Sequence, residues 1–376
     1  MAWICHGYCL NEKKTKIIST SLTSEELIGF PEKLINNKSR CFQGSVPLGN
    51  GFFLKGSEVE SLLNSSEKNG EVIFKYITGK ELNNSPNFHP GRWVIYFRDW
   101  PLEKCKEYPD ILRLVKERVK PERDKIIPKN NMAKQRKELW WKFTGPTVEL
   151  YDAIKNYEKA LVSAVVSKHH AFVFIPSDYI YANTLNVFGF DTYDYFSVLQ
   201  SSIHMAWALF KGSKLGATPR YNVSDCFETF PFPEELNGLE AVGQEYDNHR
   251  QTIMQSNNEG LTATYNRFHE PKESSGAIQK LRHLHVEIDK TVAVAYGWED
   301  MDLGHGFHET KHGVSFTISE ETRRELLQRL LKLNHERYEE EVLQGLHDKK
   351  KQRKKSTSSR GKKKTDTTDK KQGKLF

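Results

Sequence analysis

The run ETFPFPEE at residues 228–235 divides the chain into stretches with different repeat patterns, and this break constrains the fold more than any other feature. Its two prolines exclude a helix there, because each lacks the amide hydrogen and clashes with the preceding turn. After it, apolar residues recur every three to four positions, as at Ile278, Leu281, Leu284, Ile288, Val292 and Ala295. That is the spacing of helices with one buried face. A last helix is expected from Ser319, a good N-cap, with Glu320 and Glu321 in its favourable first turn. Leu326, Leu327, Leu330, Leu331 and Tyr338 form its apolar stripe.

Before the break the pattern is mixed. EVIFKYI (71–77) and WVIYF (93–97) have the β-branched and aromatic content of strands. TGKELNNSPNFHPGR between them has loop chemistry. A helix is expected at Tyr108–Val119, where Ile111, Leu112, Val115 and Val119 share a face, and another at Glu149–Leu161 on Leu150, Ile154, Tyr157 and Leu161. AFVFI (171–175) reads as a buried strand ended by Pro176, and VLQSSIHMAWALF (198–210) as one mostly apolar helix with Met205, Trp207 and Leu209 in the core and His204 satisfied there. The fold class is therefore α+β: short strands and packed helices, followed by an all-helical C-terminal region. The divisions fall at 1–27 (a segment of uncertain structure), 28–235 (two parts, about 28–125 and 126–235), 236–348 and 349–376.

Charge follows the same divisions. The net +7 conceals an acidic helical region, with twelve Lys or Arg against twenty-three Asp or Glu in 226–348. The low-complexity tail 349–376 holds thirteen Lys or Arg against two Asp, and its composition predicts disorder. Such a tail serves equally for solubility and for salt-dependent attraction to phosphates. The acidic helices would repel a polyanion and are expected to pack on the preceding domain or on a partner. No stretch approaches the roughly 18 apolar residues of a membrane span, and the N-terminus lacks the basic lead and cleavage site of a signal peptide. Five scattered cysteines (Cys5, Cys9, Cys41, Cys105 and Cys226) fit a reducing cytosol, so a cytoplasmic location is expected. Cys5 and Cys9 flank His6, but no second pair at zinc spacing follows. His305, His308 and His312 have metal-like spacing without supporting cysteines or carboxylates, so no metal is assigned.

Three groups of words carry a resemblance. The first is CFQGSVPLGNGFFL (41–54) with YITGKEL (76–82). The second is FSVLQSSIHMAWALF (196–210) with RYNVSDCFETFPFPE (220–234). The third is NEGLTATYNRFHEP (258–271), LRHLHVEIDKTVAVAYGWED (281–300) and RRELLQRLLKLNHERYEEE (323–341). In this order they resemble the target-recognition domain and C-terminal helices of MmeI-like restriction–modification adenine-specific DNA methyltransferases, over roughly 28–345. In such enzymes a nuclease, a helical linker and an adenine methyltransferase precede these parts. GNGF (49–52) and GHGF (304–307) lack the form and context of an S-adenosylmethionine turn. NSPNF (84–88) lacks the adjacent prolines of an adenine-flipping loop, and no nuclease constellation is present. TGKEL supplies at most Lys80 and Glu81.

The resemblance implies a sequence-specific DNA recognition module of a restriction–modification or phage-defence methyltransferase. It would not be catalytic alone, and would act with a separately encoded methyltransferase or be its detached C-terminal part. Double-stranded DNA and a methyltransferase subunit or domain are the partners expected. S-adenosylmethionine is expected only on the missing domain, with no cofactor in this chain. The alternatives are part of an active adenine methyltransferase or restriction enzyme, and a non-catalytic defence scaffold. Side chains able to reach base edges are concentrated in the loop after the first strand: Lys80, Glu81, Asn83, Asn84, His89 and Arg92. Phosphate contacts are expected from Lys75, Arg136, Lys137, Lys142, Lys168, His169, Arg220 and Tyr221. RKELWWKF (136–143) reads equally as a cationic–aromatic nucleic-acid face or as a buried Trp pair with solvated flanks.

Overall fold

The computed structural model describes residues 29–310 and 313–348, together with the backbone of a hairpin pairing Tyr8–Leu10 with Lys13–Thr15. Cys5 and the side chain of Cys9, His312 and the basic tail lie outside the described residues.

Two four-stranded sheets organise the described residues before the proline run. The first orders Cys41–Gln43, Leu185–Phe188, Lys159–Ala164 and Phe172–Pro176, all antiparallel. Leu161 to Ala164 and Leu185 to Phe188 are buried without alternation, as in a sheet covered on both faces. The second sheet orders Phe53–Leu54, Arg92–Ile95, Ile73–Ile77 and Ile180–Tyr181, the last pair parallel. Ile180–Tyr181 leaves the first sheet to join the second, and so couples them. Gly44 lets the chains cross there, since a Cβ would stand 2.3 Å from the Ala182 carbonyl oxygen. Helix Pro109–Arg118 closes the second sheet's core with Ile111 and Val115 against Val94 and Tyr96.

Four expectations are corrected here. The predicted helix Glu149–Leu161 ends at Ile154. Lys159–Ala164 is a strand, because the run ALVSAVV suits a position buried on both faces better than a helix surface does. The predicted helix 198–210 is two helices, Tyr193–Gln200 and Ser202–Lys211. Ser201 turns out between them (φ −64°, ψ 155°), and its hydroxyl accepts from the His204 amide. Asp289 accepts the Ser202 amide at 2.6 Å, so the break leaves that donor satisfied. Trp207 is core, Met205 is half-buried and Leu209 is exposed. In the loop expected at 78–92, Gly79–Asn84 forms a helix, started by a capping box between Thr78 and Glu81.

Beyond the proline run lie helices Leu239–Asn257, Leu261–Phe268, Gly276–Ala295 and Glu320–Leu343. The last is capped by Ser319 as expected. A hairpin, Gly306–Thr310 with Gly313–Thr317, interrupts the helices. One hydrophobic core runs from Cys41 through both faces of the first sheet to Leu331. The acidic helices thus pack on the preceding domain, chiefly against helices Tyr193–Gln200 and Ser202–Lys211. Polar contacts reinforce this: Asn334 exchanges hydrogen bonds with the Glu32 backbone (2.8 and 2.9 Å) and donates to the Thr229 carbonyl. Glu341 accepts the amides of Ile35 and Asn36.

Candidate nucleic-acid interface

The residues expected to reach base edges stand together at one end of the second sheet. Strand Ile73–Ile77 feeds helix Gly79–Asn84, whose first turn is fixed where the Gly79 amide donates to Thr184 Oγ1 at 2.9 Å. Lys80 and Asn84 are exposed on this short helix, and Asn83 is half-buried. Glu81 is occupied: its carboxylate accepts the Thr78 amide and hydroxyl and lies 4.0 Å from Arg92. That cap makes Glu81 a support for the helix terminus. Arg92, the first residue of its strand, lies over the rings of Phe53 and Tyr76 (5.1 and 5.5 Å) and keeps its guanidinium half exposed. Between them the loop is preorganised. Ser85 and Asn87 accept the His89 amide, Pro90 is buried, and Phe88 takes a left-handed conformation (φ 55°) that is costly for an aromatic residue. His89 is left exposed at the tip.

The residues expected on phosphates divide into two groups. Lys168 and His169 leave the first sheet and meet helix Leu261–Phe268, where Lys168 Nζ and His169 Nε2 both contact Asn266 Oδ1, at 2.8 and 3.0 Å. The His169 ring stacks on His269 at 4.8 Å. Burial lowers both imidazoles, His269 to about 3, so Lys168 supplies the positive charge of the cluster. Arg220 is exposed nearby, since its strand pairs with Val166. It borders a depression of about 540 Å³ shared with Gln43, Asn186, Asn222 and Asp225.

Arg136, Lys137 and Lys142 lie beyond the far end of strand Arg92–Ile95. There Lys142 donates to the Asp99 carbonyl and Lys137 to that of Ile126. Trp141 is buried and its indole donates to the Trp100 carbonyl, whereas Trp140 is half-buried, so only one of the two tryptophans matches the buried-pair reading. Lys75 sits mid-strand over Trp93 and Tyr179. Tyr221 is corrected: it is 1 % exposed and its hydroxyl pairs with His204 at 3.0 Å inside the core, out of reach of any phosphate.

Sequence reasoning missed Asn266, whose signal is only its place in NEGLTATYNRFHEP, and Arg98. Arg98 is exposed in a left-handed conformation (φ 54°) over Phe74 and Trp100, and no sequence signal marks that. His305 and His308 are engaged elsewhere, with Asp289 and with the Gly304 carbonyl (2.8 Å each). Among the described residues no group of three or more metal-ligating side chains comes together. Among them, too, no helix is long and apolar enough to cross a membrane.

Two coupled sheets with a polar loop at one end, backed by helices on a shared core, define an α+β module with a helical C-terminal region. The chain belongs to the MmeI target recognition domain family, whose model matches residues 24–234. Among solved structures it is similar to the type IIL restriction–modification enzyme MmeI, solved in complex with DNA. The TM-score is 0.60 and the identity 18 %, over 87 % of this chain. The chain spans 39 % of that enzyme's chain. No curated protein matches it.

Proposed function

We propose that this chain selects the DNA sequence at which a restriction–modification adenine methyltransferase acts, the catalytic domain being held elsewhere. The observation that carries this reading is the target-recognition family match over residues 24–234. The polar loop Lys80–Arg92 is its reading element, and Lys168 and Arg220 contact the backbone. Direct readout needs donors and acceptors held rigidly at groove edges. The left-handed turn at Phe88 and the capped helix Gly79–Asn84 support this reading, because they limit the freedom of the loop that carries Asn84 and His89. S-adenosylmethionine belongs to the partner domain, and the setting is defence against foreign DNA.

The test is selection of duplexes from a random pool by the full chain, followed by gel shifts of selected and scrambled duplexes at two salt concentrations. The expected result is a preference that persists as salt rises, because base contacts survive screening better than phosphate contacts. Equal binding of both duplexes at every salt concentration overturns sequence recognition and favours a scaffold. Incubation with radiolabelled S-adenosylmethionine is expected to leave DNA unlabelled. Label in the DNA overturns the non-catalytic reading.

A further inference from the structure

The acidic balance of the helical region argues against its lying along DNA, yet one of its helices stands inside the candidate interface. Helix Leu261–Phe268 begins at Gly260, which is pressed against the end of the reading helix. A Cβ on Gly260 would stand 2.4 Å from the Asn84 carbonyl carbon and 2.6 Å from the Asn83 carbonyl oxygen. Six residues further on, Asn266 is exposed and receives Lys168 and His169. At ~1.5 Å per residue the two points are about 9 Å apart along the helix. A B-DNA major groove is about 12 Å wide, so one duplex can meet both.

The hydrogen bonds decide which groups face outward. Two donors converge on Asn266 Oδ1, which orients the amide and leaves both Nδ2 hydrogens outside that contact. Lys168 brings its remaining ammonium hydrogens to the same place. His169, kept neutral by burial, spends its Nε2 hydrogen on Asn266 and so positions the amide. The carboxylates flanking this helix in sequence are engaged. Glu259 and Glu273 both pair with Arg267, at 2.9 and 2.8 Å, and Glu270 accepts the Lys272 amide. The result is a cluster of hydrogen donors around one cation.

We propose that Lys168 and Asn266 form a seat for a backbone phosphate of duplex DNA, at the seam between the first sheet and the helical region. The helical region thereby takes part in DNA binding and fixes the distance between that phosphate and the reading helix. The inference rests on the reading of the chain as DNA-binding.

The decisive variant is Asn266→Asp. A carboxylate there can still accept from Lys168 and His169, so the fold and the melting temperature are expected to hold. It also removes the outward donors and neutralises Lys168. Fluorescence anisotropy of the full chain should show target and scrambled duplexes both weakened by about tenfold, with the salt slope of log affinity reduced by about one and the preference between them unchanged. Lys168→Gln should do the same. Affinity for N266D within twofold of the parent overturns the seat, whatever the sequence preference. Weakened binding of both duplexes by N266D, from a parent that shows no preference between them, keeps the seat and overturns sequence recognition. A parent that binds no duplex overturns both.

Discussion

Arg220 and Tyr221 are adjacent in sequence and opposite in surroundings. Arg220 ends a strand facing solvent, while Tyr221 turns into the core against His204. Replacing Tyr221 with Phe leaves both His204 nitrogens without a partner, since Nδ1 already has none. The expected cost is about 1–3 kcal/mol in urea unfolding, with the DNA affinity of the folded variant unchanged. Arg220→Gln should do the reverse: stability held, and affinity for every duplex lowered with a salt slope smaller by about one. A Y221F variant that folds as well as the parent yet binds DNA poorly would reinstate the tyrosine as a contact. The sequence placed both residues at the surface because no strand was expected at Thr218–Arg220, and along a strand a step of one residue reverses the face. Arg92 and His89 were legible as exposed because the glycines, prolines and asparagines around them leave few other conformations. Phe88 was not, because its left-handed backbone depends on contacts remote in sequence.

Among elements, the crossing of helices Tyr193–Gln200 and Leu239–Asn257 depends on Gly243. A Cβ there would stand 2.3 Å from Ser197 Oγ and 2.6 Å from the Tyr193 carbonyl oxygen. Gly243→Ala should therefore destabilise by about 1–3 kcal/mol through overpacking. Gly276→Ala, at the open start of helix Gly276–Ala295, meets nothing within 4 Å and should stabilise by about 0.4–1 kcal/mol. Denaturant midpoints of the two variants moving in the same direction would contradict this account. The helices after the proline run were legible because each keeps one apolar face and good caps. The strand Lys159–Ala164 was not, because Leu150, Ile154, Tyr157 and Leu161 keep helical spacing across a helix–strand junction. The break at Ser201 was equally hidden, since it is stabilised by Asp289, far along the chain.

At the scale of the whole molecule, the shared core carries imidazoles that burial keeps neutral. His170 is pressed down to about 4 and His204 to about 3. An unfolded histidine takes up its proton near pH 6.5. Below that pH the unfolded chain therefore binds more protons, and the folded state loses stability as pH falls from 6.5 towards 4. At pH 5 each of these two imidazoles should cost about 2 kcal/mol. Asp289 does not contribute in this window. Burial pushes its carboxyl up, but His285, His305 and the Ser202 amide outweigh that and hold it below the usual range, so its contribution is lost only at lower pH. Urea midpoints at pH 7 and pH 5 check the prediction, and equal midpoints would refute it. The two-part organisation was read from the change in periodicity at residues 228–235. Charge pointed the helices towards the preceding domain or a partner; that one core crosses this boundary was not decided between the two, because periodicity shows that a face is buried without showing what covers it.

The contacts that Asn334 and Glu341 make with residues 32–36 close the chain on itself across some three hundred positions. Specificity engineering by transplantation must respect this closure. A graft cut where the family match ends, at residue 234, would carry the loop Lys80–Arg92 but leave behind nineteen of the forty-eight buried residues of the first core and the clasp on residues 32–36. A hybrid that carries the chain from residue 24, where the family match begins, through Leu346 keeps these contacts and should fold, where one cut at 234 should not.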